Sequence, residues 1–184
     1  MVKQIEQIPE DVLERARRLK GIFMDVDGVL TAGMIVFDAN GLEIKHFNAH
    51  DGLACKMAAL GGLQTGIISA RESGTIRHRA REMGVTNLYL GRQHKLPAFR
   101  ELLKDLNLRP EECCFIGDDL PDVPVMKEAG LAVAVNNATD IPKEVAHYIT
   151  RKKGGDGAVR EVVELVLKAQ GKYESVVKQV WGEK

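Results

Sequence analysis

Residues 23–33 read FMDVDGVLTAG. An apolar run leads into two aspartates one residue apart, then a glycine. Two like charges at that spacing, set at the end of an apolar stretch, need a partner to offset their repulsion. Taken alone the stretch reads equally as a turn, since Asp and Gly are turn residues, or as a chemical site. The segments that follow decide between the two. GIFMDV, QTGIISA, TNLYLG, CCFIG and LAVAV are short apolar strands, and HYIT is a sixth candidate. They alternate with helical segments: DGLACKMAALGG, ESGTIRHRAREMG, KLPAFRELLKDLNLRPEE, DVPVMKEAG and GAVREVVELVLKAQGK, the last amphipathic. Strands in alternation with helices indicate βαβ units and an α/β fold, with a mostly parallel central sheet flanked by helices. IPEDVLERARRLKG is a further helix at the start. MIVF and LEIKHF, on either side of Asn40-Gly41, read as a β-hairpin.

Composition bounds the function. The chain has 184 residues, which fits one domain. Apolar residues make up 45% and charged residues 28%, ordinary for a globular protein. Lys+Arg and Asp+Glu balance at 26 each, so there is no electrostatic footprint for nucleic acid or an anionic membrane. No apolar run reaches the roughly 20 residues that span a bilayer. The acidic N-terminal segment lacks the apolar core of a secretion signal, so a reducing cytoplasm is expected. The three cysteines, Cys55, Cys113 and Cys114, have neither zinc nor disulfide-framework spacing, and read as small buried apolar residues.

In an open parallel sheet, ligands bind at the carboxyl ends of the strands. Asp25 and Asp27 follow the first strand of this sheet, Ser69 and Arg71 the next, His94 and Lys95 the third, and Asp118, Asp119 and Asp122 the fourth; Asp51 opens a helix after the hairpin. Each loop alone passes as a turn or a helix cap. Together they bring carboxylates, a hydroxyl and a cation to one edge. Oxygen-only carboxylate ligands suit a hard cation such as Mg²⁺, and Ser69 with Lys95 suits a phosphate clamp. That set fits phosphoryl transfer, with Asp25 as nucleophile and Asp27 as the acid/base two residues on. A phospho-accepting signalling domain has similar groups but carries its paired acids and its accepting Asp on different strands.

DVDGVLT, IISAR, Lys95 and GDDLPD resemble the four motifs of the haloacid dehalogenase superfamily. FMDVDGVLTAG, FNAHDGLA, IISARES, LYLGRQHKL, FIGDDLPDVPVMKEAGLAVAV and GGDGAVREVVELVLKAQGK resemble, in order and spacing, the 3-deoxy-D-manno-octulosonate 8-phosphate (KDO 8-phosphate) phosphatase family within it. The likeness runs from about Leu19 to Lys172. It implies a Rossmann-like fold without a cap domain: an N-terminal helix over 1–20, a phosphatase domain over 21–172 with a hairpin flap at about 34–47, and a tail over 173–184. It implies Mg²⁺ held by Asp25, the backbone carbonyl of Asp27, and Asp118, with Asp119 and Asp122 in support. Ser69 and Lys95 would bind the phosphoryl group. Arg71 and Arg79 would take the substrate's carboxylate, and Thr31 and Asp51 complete the expected substrate-binding set. The family implies a homotetramer in which the hairpin, the glycine-rich stretch before AVRE and the C-terminal tail serve a neighbour's site. The implied reaction is hydrolysis of a sugar-acid phosphate in lipopolysaccharide precursor synthesis. A nonulosonate 9-phosphate is the alternative substrate, and a catalytically silent oligomerisation module the alternative role. Ala70 stands where the family usually has Gly, and His50 and His94 stand at the expected rim of the site.

Overall fold

The structure, a computed structural model, describes residues 8–183. Part of the expected N-terminal segment, residues 1–7, and Lys184 lie outside the described residues. Among the described residues there are eight strands: β1 Gly21–Met24, β2 Val36–Phe37, β3 Glu43–Ile44, β4 Gln64–Ile68, β5 Asn87–Tyr89, β6 Cys113–Gly117, β7 Leu131–Ala134 and β8 Tyr148–Ile149. Eight α-helices accompany them: α1 Glu10–Arg18, α2 Ala49–Leu60, α3 Gly74–Met83, α4 Lys95–Asp105, α5 Val123–Glu128, α6 Asp140–Val145, α7 Ala158–Ala169 and α8 Tyr173–Trp181. Six strands form one parallel sheet in the order β5-β4-β1-β6-β7-β8. β2 and β3 pair antiparallel as the hairpin.

The strands are continuous apolar runs because helices cover both faces of the sheet. Every residue of β1, β6 and β7 is buried. α2, α7, α1 and α8 pack together as one layer, and α4, α5 and α6 form the other. On the α4 side the register sets Phe23 beside Phe115. Phe99 of α4 meets both rings edge to face, with centroids 6.2 Å away in each case. The three cysteines are buried free thiols, and burial raises their pKa values, those of Cys55 and Cys113 to about 12.

Two details go beyond the sequence reading. α6 is not legible in the sequence, because six residues are too few to show a clear helical period. The tail forms α8, whose Val176 is buried and which packs against α2 and α7 of its own chain.

The topology fixes where a site can form. From β1 the chain crosses to β4 and β5 on one side, then returns to β6 on the other. The order reverses between β1 and β6, and a crevice opens at the carboxyl ends of strands at such a point. Asp25 follows β1 there, and Asp118 follows β6. Replacing Phe99 by Ala is expected to lower the unfolding free energy by about 3–5 kcal/mol in urea titration, through the cavity left between Phe23 and Phe115; a loss under about 1 kcal/mol would mean that the ring trio is not a packed unit.

Candidate active site

The turn after β1 is wound tightly. The Val26 carbonyl accepts from the N–H groups of Val29, Leu30 and Thr31. Thr31 Oγ1 accepts from the N–H groups of Gly28 and Gly33 at 3.3 and 3.2 Å. Gly28 has φ +96°, and a Cβ there would lie 1.9 Å from Asp118 Oδ2. Only glycine serves at this position, for conformation and for space. The same loop is clamped from behind: a Cβ on Gly154 would lie 1.6 Å from the Gly28 carbonyl, and Gly155 N–H donates to the Val29 carbonyl at 2.9 Å.

Lys95 and Asp122 organise the floor. Lys95, the first residue of α4, is almost fully buried; its Nζ lies 2.6 Å from Asp122 Oδ1 and 3.0 Å from Asp25 Oδ2. Asp122 closes a one-turn 3₁₀ helix after β6, and its other oxygen accepts from the N–H groups of Asp118 and Asp119 at 2.9 and 3.3 Å. Both oxygens of Asp122 are therefore engaged. Asp118 differs: its Oδ1 is buried and has no hydrogen-bond partner. Oxygens of Asp25, Asp118 and Asp122 all lie within 4.8 Å of one another.

Three carboxylates thus face one ammonium. Burial, followed by the charge of Asp122, raises Asp25 to about 7 despite Lys95. Burial and the charges of Asp25 and Asp122 raise Asp118 to about 8. For Lys95, burial acts downward, but Asp25 and Asp122 outweigh it and hold the ammonium above the ordinary lysine range. The partnerless Asp118 oxygen beside Asp25 is what a divalent cation would relieve, and the all-oxygen donor set fits a hard ion such as Mg²⁺. Asp122, saturated by N–H groups and Lys95, fits the supporting place expected of it rather than that of a ligand.

Asp25, Asp27, Ser69, Ala70, Arg71, Lys95, Asp118, Asp119 and Asp122 line one cavity. Ser69 is buried, and its Oγ accepts from Arg71 N–H at 3.2 Å. The Ala70 carbonyl accepts from Gln93 Nε2 at 3.2 Å.

Three expected substrate-binding residues do not line this cavity. Thr31 staples the β1 turn from beneath. Asp51 is buried under α7 and caps it, accepting from Arg160 N–H at 2.9 Å. Arg79 donates to the Asn48 carbonyl at 3.0 Å and lies over the Phe47 ring. Each side chain is spent on holding backbone or neighbouring rings. His50 and His94 are exposed and do not line the cavity either. The hairpin and the glycine-rich stretch were expected to serve a neighbour; within this chain both pack on its own site, the latter as the clamp behind Gly28.

The hairpin contributes two residues that sequence reasoning missed. Lys45, with its side chain buried, places Nζ 2.5 Å from Asp27 Oδ1 and 3.1 Å from Glu43 Oε1. Glu43 Oε1 is in turn 3.0 Å from an Arg71 terminal nitrogen. The signal available was polar residues two apart on a strand, which puts them on one side; nothing in the sequence said which side faced Asp27.

A profile of haloacid dehalogenase-like hydrolases matches residues 82–162. The 3-deoxy-D-manno-octulosonate 8-phosphate phosphatase KdsC of Yersinia pestis is 43% identical over 167 residues, covering 91% of this chain and 89% of that protein. The protein of the same name from Escherichia coli strain K12 is 42% identical with the same coverage. Among solved structures, the Moraxella catarrhalis 3-deoxy-D-manno-octulosonate 8-phosphate phosphatase, in complex with magnesium, phosphate and KDO, superposes with a TM-score of 0.90 at 38% identity, covering 93% of this chain and 98% of that one. The chain belongs to the haloacid dehalogenase superfamily and, within it, to the 3-deoxy-D-manno-octulosonate 8-phosphate phosphatase family.

Proposed function

We propose that this protein is a Mg²⁺-dependent phosphatase that hydrolyses KDO 8-phosphate to KDO and inorganic phosphate through an aspartyl-phosphate. The observation that carries the reading is the juxtaposition of Asp25, Lys95 and the partnerless Asp118 oxygen at the topological switch point. Asp25, the Asp27 carbonyl and Asp118 would hold Mg²⁺, which would supply the charge that lets an anionic nucleophile approach an anionic phosphoryl group. Lys95 Nζ and Ser69 Oγ hold the phosphoryl oxygens. An Asp25 oxygen attacks phosphorus and the bond to the sugar oxygen breaks, while the Asp27 carboxyl gives its proton to that oxygen. Asp27, now a carboxylate, takes a proton from the water that attacks the aspartyl-phosphate, and phosphate leaves. The reading includes a cytoplasmic enzyme supplying a lipopolysaccharide precursor. None of the described helices is long and apolar enough to cross a membrane.

We also propose a homotetramer. Met34, Ile35, Phe37, Leu42 and Ile44 on and beside the hairpin are exposed, Phe37 at 55% and Leu42 at 66%. A cluster of large apolar side chains on one short hairpin supports a partner surface.

Three outcomes test these readings. Asp25→Asn is expected to abolish phosphate release from KDO 8-phosphate, and Asp27→Asn to lower kcat by about 10²–10⁴-fold while keeping its Mg²⁺ response; near-normal kcat in Asp27→Asn would remove it as the acid/base. In thermal unfolding, Mg²⁺ at about 100 times its Kd is expected to stabilise wild type by about 2.7 kcal/mol, a rise of several degrees in Tm. Asp118→Asn is expected to be more stable than wild type without the cation, having lost a repelling charge, and to gain little from Mg²⁺; an equal gain in both proteins would place the ion elsewhere. In light scattering, Phe37→Asp is expected to shift a tetramer to smaller species, and a wild-type monomer would end the assembly proposal.

A further inference from the structure

The hairpin reaches its own site through a four-charge cluster. Glu43 and Lys45 lie two residues apart on the same side of the chain at β3, facing Asp27 and Arg71. Glu43 Oε1 sits between two cations, 3.1 Å from Lys45 Nζ and 3.0 Å from the Arg71 guanidinium. Yet this buried oxygen has no donor directed at it with hydrogen-bond geometry, and neither has Asp27 Oδ2, which lies 3.9 Å from Arg71 Nε. The contacts at Glu43 Oε1 are short but poorly aligned. Arginine binds a carboxylate best through two parallel N–H groups, and Glu43, tethered to the hairpin, meets it with one nitrogen. Two cations therefore hold an anion that fits them poorly, directly behind Asp27 and Arg71, which line the cavity that holds Asp25.

We infer that Glu43 occupies a carboxylate seat: Lys45 and Arg71 form a two-cation site for the carboxylate of the substrate, and the incoming sugar-acid phosphate displaces Glu43 from it. This rests on the phosphatase reading above for the kind of substrate, and adds Lys45 and Glu43 as specificity-determining residues. A free carboxylate orients to both cations and gains the aligned hydrogen bonds that Glu43 Oε1 lacks. A phosphomonoester without a carboxylate leaves Glu43 in place and gains nothing from the seat. The hairpin thus favours sugar phosphates that carry a carboxylate over those that do not. Lys45 also contacts Asp27 at 2.5 Å, so the ammonium that reads the carboxylate touches the group proposed to protonate the leaving oxygen.

The test is the ratio of kcat/KM for KDO 8-phosphate to that for glucose 6-phosphate, whose sugar carries no carboxylate, measured with Mg²⁺ in wild type, Glu43→Gln, Lys45→Ala and the double variant. Glutamine keeps the size of Glu43 and removes the competing charge. Glu43→Gln is expected to raise the ratio by about threefold or more, the scale of one partly exposed ion pair, chiefly through a lower KM for KDO 8-phosphate. Lys45→Ala is expected to lower the ratio and to cancel the gain when combined with Glu43→Gln. A ratio that is unchanged or lower in Glu43→Gln, or a gain that survives in the double variant, overturns the displacement. A wild-type ratio near one overturns the carboxylate seat itself. Turnover of KDO 8-phosphate by wild type sustains the phosphatase reading in every one of these cases, so the two failures are distinguishable.

Discussion

The contact between Lys95 and Asp122 is the interaction on which the site depends. It joins the start of α4, after β5 at one edge of the sheet, to the short turn after β6 near its centre. Lys95 also neutralises part of the charge on Asp25, after β1. One ammonium therefore ties three loops that share no sequence neighbourhood. Asp122 completes the arrangement by accepting the Asp118 and Asp119 N–H groups, which fixes the backbone that carries Asp118. A buried pair of this kind is weak as a source of stability, because desolvation offsets much of its attraction. Here it positions: it sets carboxylates beside one another at a distance that their own repulsion would not allow.

The residual imbalance is the functional quantity. After Lys95 has paired, Asp25 and Asp118 still sit in a low-dielectric crevice, and both are raised far above ordinary carboxylates. Strongly perturbed acids in a cleft mark a site built for a further charge. The glycines show that this crowding is constructed. Gly28 yields the space taken by Asp118, and Gly154 yields the space taken by Gly28. The sequence spends its smallest residues where two loops must touch, and its acids where a cation and a phosphoryl group would meet.

Much of this was legible in the sequence. The apolar strands, their alternation with helices, and the acids at the strand ends follow from periodicity and from turn chemistry, and they place Asp25, Asp27, Ser69, Lys95 and Asp118 in one cavity. What was not legible has a common cause. Position next to a motif does not give side-chain direction. Thr31 follows DVDG by only a few residues, but its hydroxyl turns inward to hold that turn. Asp51 opens α2, yet its carboxylate caps α7, more than a hundred residues on. Arg79 lies one helical stretch from Arg71 and turns to Asn48 and Phe47 instead. Conversely, Lys45 and Glu43 looked like ordinary polar residues of an exposed strand, because a short hairpin gives no hint of which side meets the site.

The central claim is that Asp25 receives the phosphoryl group. The most direct measurement is mass spectrometry of peptides from enzyme quenched in acid during turnover of KDO 8-phosphate with Mg²⁺. The account predicts that a fraction of the peptide spanning Asp25 carries the added mass of one phosphoryl group, and that an Asp27→Asn enzyme, slowed in breaking the intermediate down, carries the same modification at the same residue. Phosphate release with no modification of that peptide in either protein, or modification at a different residue, would contradict it.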